Sequence, residues 1–172
     1  MLLSWLRPWR HPAKRPGPFR PVMESLDDRL VPANPHFIYA ESSLAADLSL
    51  VVDFKEAGLG DSQNIDYELT GDASATFGFV NNGGNVVQGN PWLVTAETLA
   101  TGTFSSDKNG NITASLQSGP PVRDPDLKQP NGNGWKECVD ISYTNCVLTD
   151  TTNGVSIEVA DQSVNTFPPP KH

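Results

Sequence analysis

Ile65-Asp66-Tyr67-Glu68-Leu69-Thr70, followed closely by Ala73-Ser74-Ala75-Thr76-Phe77-Gly78-Phe79-Val80, decides how this chain folds. In the first stretch Ile65, Tyr67 and Leu69 alternate with Asp66, Glu68 and Thr70; in the second the inward set is Ala73, Ala75, Phe77 and Phe79. A repeat of two lays one apolar row along one face of a pleated strand, whereas a helix would repeat every 3.6 residues. The same alternation recurs upstream, where Leu48, Leu50, Val52 and Phe54 share parity, and downstream in 92–105, where Val94, Ala96, Ala100 and Phe104 do. Asp107-Lys108-Asn109-Gly110 then predicts a hairpin into Ile112, Ala114 and Leu116, because Asn-Gly supplies the positive φ that a tight turn requires. A second hairpin is predicted with Val139, Ile141, Tyr143 and Val147 on one arm, a turn at Thr151-Thr152-Asn153-Gly154, and Val155, Ile157 and Val159 on the other. One helical turn is expected at Ser43–Asp47.

Seven strands in about 115 residues, divided by Gly, Asn, Asp and Pro, predict an all-β, antiparallel two-sheet sandwich of immunoglobulin-like size. Alternation, as opposed to continuous apolar runs, implies sheets with one wet face. The 172 residues are enough for one such domain and a tail. No run approaches the ~18 apolar residues of a membrane span.

Charge and proline divide the chain. Residues 1–22 carry Arg7, Arg10, Lys14, Arg15 and Arg20 without an acid, and seven of the 15 prolines fall before residue 36. From residue 37 onward there are 6 bases against 17 acids. Closely spaced prolines remove helix donors, so residues 1–36 read as a disordered basic leader. Residues 37–165 read as the single sandwich domain and 166–172 as a disordered tail. The apolar stretch Met1-Leu2-Leu3-Ser4-Trp5-Leu6 is shorter than the core of a secretory signal. The run Phe19-Arg20-Pro21-Val22-Met23-Glu24-Ser25-Leu26-Asp27-Asp28-Arg29-Leu30-Val31-Pro32-Ala33 nevertheless resembles a segment near the N-terminus of many planctomycete exported proteins, with Asp27 where Glu is commoner. That resemblance implies a secreted or cell-surface location and is silent on activity.

Two Gly/Asn/Pro-rich loops interrupt the strands, at 81–91 and 118–134, and the second is longer than most connections in a compact domain. Each ends beside a tryptophan. Trp92 and Trp135, with Asn82 and Asn85 nearby, form the candidate ligand site: an indole face stacks on a sugar ring while amides hydrogen-bond its hydroxyls. The competing reading is that each tryptophan plugs an end of the sandwich, since large aromatics dominate cores.

A further resemblance rests on Phe54-Lys55-Glu56-Ala57-Gly58-Leu59-Gly60, Asp66-Tyr67, Ala73-Ser74-Ala75-Thr76-Phe77, Asn81-Asn82-Gly83-Gly84-Asn85, Ser142-Tyr143-Thr144-Asn145 and Thr149-Asp150-Thr151-Thr152-Asn153-Gly154-Val155. Together these are similar to a group of small secreted bacterial and fungal β-proteins of unassigned activity. In those relatives a cysteine often follows the Ala-Thr-aromatic run, where this chain has Phe79. The resemblance implies a secreted β-domain and brings no catalytic residue.

The histidines are His11, His36 and His172. A Ser-His-Asp or Cys-His site, or a His-ligated zinc or copper centre, is therefore excluded within 37–171. Glu56, Asp61, Asp66, Glu68, Glu97, Glu137, Asp140 and Glu158 remain as carboxylates for a glycosidase pair, but Asp66, Glu68, Asp140 and Glu158 take the outward parity of their strands. Asp107–Asn111 begins like a calcium-binding EF-hand loop and fails it: Ile112 stands where Gly is required and Ser118 where Glu is. A looser calcium site using Asp124, Asp126 or Asp150 is invisible to spacing. No phosphate loop or dinucleotide fingerprint occurs. The acidic body would repel nucleic-acid phosphates, so no nucleic-acid partner is expected.

Cys138 and Cys146 share parity eight residues apart. On one straight strand they would lie about 26 Å apart at ~3.3 Å per residue, beyond disulfide reach. A fold-back at Tyr143-Thr144-Asn145 would let them pair, as an oxidising space favours. The sequence thus predicts no cofactor, a monomer, and a non-catalytic secreted or cell-envelope domain with a structural, adhesion or ligand-binding role toward a surface glycan or protein. The alternative is a carbohydrate-active hydrolase with paired carboxylates.

Overall fold

The computed structural model describes residues 34–86, 92–123, 125, 130–132 and 134–169; residues 1–33 of the expected leader, 170–172 of the expected tail, Asp124 and Asp126 lie outside these. Eight strands follow one another: β1 (His36–Leu44), β2 (Leu50–Ala57), β3 (Asn64–Val80), β4 (Trp92–Ser105), β5 (Ile112–Ser118), β6 (Lys136–Asp150), β7 (Val155–Glu158) and β8 (Gln162–Asn165). They form two antiparallel sheets packed as a sandwich. One has the order β1-β2-β5; the other has the order β4-β3-β6-β7, with β8 beside β7 along the same edge of β6. Among the described residues no helix is long and apolar enough to cross a membrane.

The two alternating stretches at 65–80 are a single strand. Ile65, Tyr67, Leu69, Ala73, Ala75 and Phe79 are buried along one face of β3. Beside them in the same sheet β6 supplies Ile141, Tyr143 and Leu148, and from the facing sheet β2 supplies Leu50, Val52 and Phe54. Area removed from water at roughly 25 cal/mol per Å² makes this row the main term holding the sheets together.

Several sequence expectations are corrected. Asp107–Gly110 does form a closed turn, with the Asp107 N–H donating to Asn111 O and Gly110 N–H to Asp107 O. The strands on either side nevertheless part: β4 pairs with β3 in one sheet and β5 with β2 in the other. Turn chemistry is local, while sheet membership is set by which partner completes the core. The helical turn expected at Ser43–Asp47 is instead the end of β1 and a tight turn, in which Leu48 N–H donates to Ala45 O and Leu48 has φ +69°. β1 carries a bulge between Phe37 and Tyr39 that breaks its alternation.

The body also reaches slightly beyond its expected bounds. His36, assigned to the leader by sequence, opens β1, and its exposed Nδ1 is bonded to Asn34 O. Past β8, Thr166 exchanges hydrogen bonds with Val139, and Phe167 lies against Gly78.

The second predicted hairpin is present between β6 and β7. Its inward set changes, because β6 bulges at Asn145. The register against β3 runs from Thr70↔Val147 to Asp72↔Thr144, so Gly71 faces both intervening residues, and Asn145 has φ +54°. Parity flips there. Tyr143 and Ile141 face the core before the bulge; Cys146, Leu148 and Asp150 face it after, and Val147 turns outward.

Candidate functional site

The predicted ligand residues sit at one end of the larger sheet. Trp92 is the first residue of β4, opposite Phe77. It has the inward parity of Val94, Thr98 and Phe104, yet it is 42% exposed, and Ala96 on the same row is exposed too. The reason is length. The Tyr143 hydroxyl donates to Leu48 O at 2.9 Å, which places the turn before β2 over the Ala73↔Tyr143 pair. The facing strands end there, whereas β3, β4 and β6 run on; Ala75 and Phe79 of β3 stay buried beyond that point, but Trp92 and Ala96 on the edge strand β4 do not, so the indole of Trp92 does not plug the core.

Asn82 and Asn85 belong to a turn organised by Asn81, whose Oδ1 accepts from the N–H groups of Gly83 (2.9 Å) and Asn85 (3.0 Å). This turn closes the Val80↔Val86 bridge. The Asn82 amide lies close over Gly134, directly before the half-buried Trp135. Asn82 and Trp135 are thus brought into one neighbourhood. Trp92 stands apart from it, two strands over and several residues along the sheet, so the two indoles do not form one stacking platform.

A second cluster lies at the opposite end, and sequence reasoning reached only part of it. Glu56 shares the parity of Leu50, Val52 and Phe54, and that parity was the signal: a carboxyl in an apolar row. It is fully buried, as are Tyr67 and Asp150. Tyr67 donates its phenolic proton to Glu56 Oε2 at 2.7 Å, while the buried Glu56 Oε1 has no hydrogen-bond partner and the Asp150 carboxyl is near enough to act on it. Asp150 is held from the far side by the β6–β7 turn: Oδ1 accepts from Thr152 N–H (2.8 Å) and Asn153 N–H (2.9 Å), and Oδ2 from Asn153 Nδ2 (2.6 Å). Tyr67 is packed by Phe54 at 4.7 Å, Phe104 at 5.9 Å and Phe37 at 6.3 Å between ring centres.

Burial pushes Glu56 up to about 7; the Tyr67 hydrogen bond opposes this and the Asp150 charge reinforces it, with His36 pulling weakly down. Burial, then the Glu56 carboxylate, raises Tyr67 above its ordinary range. A protonated Glu56 solves the orphaned oxygen, since its O–H donates to Asp150 and completes a chain from the tyrosine to the turn amides. The pair is unsuited to glycoside cleavage. A glycosidase pair needs an open cleft that admits substrate between its carboxyl groups, whereas these two are fully buried inside the core.

The other carboxylates are dispersed. Asp66 and Asp140 are exposed, and Glu68 is half-buried, all on the outer face of the larger sheet, with Glu158 exposed on β7. Asp72 and Glu97 are direct cross-strand partners and line a shallow groove of about 430 Å³ with Ser74, Thr95 and Thr144. Among the described residues no group of three or more His, Cys, Asp or Glu side chains is disposed to hold a metal ion. Asp107 is occupied as a turn acceptor for Asn109 and Asn111, which lowers its pKa, the Asn111 bond most.

Cys138 and Cys146 are free, buried thiols on the one strand β6. The fold-back that would pair them does not occur. The bulge at Asn145 adds a second obstacle, because it sends Cys146 into the core while Cys138 lies on the opposite face, in register with Gly78. Burial raises the Cys146 thiol, and Cys146 Sγ packs against Gly71, where a Cβ would meet it at 2.7 Å.

No family model, curated protein or solved structure matches the chain.

Proposed function

We propose that this is a non-catalytic exported or cell-envelope domain that contacts a surface glycan or protein through the exposed first half of β4 in its larger sheet. One observation carries the reading: Trp92 and Ala96 have core parity but face solvent, while the carboxyls Glu56 and Asp150 are sealed in the interior. Binding needs the first arrangement and hydrolysis needs the reverse. The leader motif at Phe19–Ala33 supports export. The exposed indole of Trp92 suits stacking on a sugar ring, and the Asn82 amide beside Trp135 is a separate flanking contact two strands away. Fold alone does not specify a ligand; recognition lies with these side chains.

A glycan array probed with the full chain tests this, with Trp92→Ala as the comparison. Selective binding lost in the variant is the expected result. Glycan binding that Trp92→Ala leaves intact, or cleavage of any arrayed glycan, overturns it.

A further inference from the structure

The edges of the two sheets are guarded unequally. β1 is bulged, and it is tied to the chain before β8 by Ser42 Oγ donating to Ala160 O and by Gln162 Nε2 donating to Ser42 Oγ. β5 has seven residues, and β7 and β8 four each. β4 has 14, paired to β3 in an unbroken register from Trp92 to Ser105, and among the described residues no strand pairs with its other side. It contains no proline, no lysine, no bulge and a single charge, Glu97. Long, flat edges without such devices present a row of free N–H and C=O groups that accepts another strand. Its two large outward side chains, Leu93 and Leu99, are 63% and 60% exposed.

We propose that β4 pairs antiparallel with β4 of a second copy of this chain, about a two-fold axis through Ala96. The strand's own sequence chooses this occupant and register. Leu93 and Leu99 lie three residues either side of Ala96, so the axis sets each leucine directly against the other copy's opposite leucine, twice. Thr95 falls opposite Glu97, Val94 opposite Thr98, and Trp92 opposite the small Ala100. The lone charge therefore meets a hydroxyl. Moving the axis to Glu97 would oppose the two carboxylates, and moving it to Thr95 or Thr98 would separate the leucines. Directly opposed apolar pairs are favourable and directly opposed like charges are not. The two Glu97 side chains remain diagonal neighbours, within about a Debye length at physiological salt, so salt strengthens the pairing. A nine-residue seam is at the small end of specific interfaces, which implies a dimer that dissociates on dilution. This replaces the monomer expected from sequence, and it stands whether or not Trp92 binds a ligand.

Sedimentation equilibrium of the full chain, across concentration and at two salt levels, is the test. The expected result is a monomer–dimer equilibrium that tightens with salt and with Glu97→Gln, and that weakens roughly tenfold or more in Leu99→Lys, which sets an ammonium against Leu93. Leu99 is already in water, so this variant keeps the monomer fold. A monomer at every concentration overturns the proposal, as does a dimer indifferent to Leu99→Lys. For register, Ala96→Cys is expected to form an intermolecular disulfide on mild oxidation and Glu97→Cys is not; the converse would sink the two-fold at Ala96.

Discussion

The same three strands, β3, β4 and β6, finish in opposite ways at their two ends. At one end the connections from β2 to β3 and from β4 to β5 are strapped together: Leu59 N–H donates to Gly110 O, Ser106 N–H to Gln63 O and Ser106 Oγ to Gly60 O. The β6–β7 turn joins them, with Thr151 N–H and Oγ1 both donating to Asp66 O. Glu56, Tyr67 and Asp150 lie beneath these straps. At the other end the facing sheet stops near Leu48, and Trp92 and Ala96 continue into solvent. Core parity alone therefore does not bury a side chain; a second layer of matching length must cover it. The strapped end is closed by these hydrogen bonds, while the β4 side of the other end leaves apolar surface in water.

Mutations should separate the two. Phe54→Ala, in the strapped half, is expected to cost about 3–5 kcal/mol in denaturant unfolding, through lost transfer energy and the cavity left behind. Trp92→Ala should change stability by no more than about 0.5 kcal/mol. Comparable losses at both positions would erase the distinction.

The pH dependence sharpens it further. Glu56 is raised in the folded state from 4.5 to about 7, so the folded chain keeps a proton that the unfolded chain gives up. The associated stability is fully present below about pH 4.5 and is lost as pH rises toward 7, by on the order of 3 kcal/mol at most. Glu56→Gln keeps an acceptor for Tyr67 and a donor for Asp150 without titrating. Thermal melts of the variant should stay level through that window, and a wild-type melting temperature that rises across it would refute the shared proton.

A smaller effect is expected at the bulge. Gly71→Ala should destabilise by about 1–3 kcal/mol by crowding Cys146 Sγ, and Cys146→Ala should relieve part of that loss in the double variant. Strict additivity would show that the contact does not matter.

The sandwich was legible because its central strands alternate cleanly, as Ile65–Thr70 and Leu50–Phe54 show. The features sequence reasoning missed share one cause, the irregular position. β1 was hidden by its bulge at Phe37/Tyr39, and the facing of Cys146 by the extra residue at Asn145. The exposure of Trp92 depends on how far a sheet distant in sequence extends, which no local pattern encodes. Glu56 was visible as an oddity in an apolar row, but its partner Asp150 was not, because the bulge had reversed the parity that would have shown it.

Asn145 thus behaves like a single inserted letter in a two-letter alternating script. Removing it would exchange the two rows of the strand beyond, offering Val147 and Thr149 to the interior and turning Cys146, Leu148 and Asp150 out to water. Downstream of that point the chain would spell the same residues and present the opposite molecule.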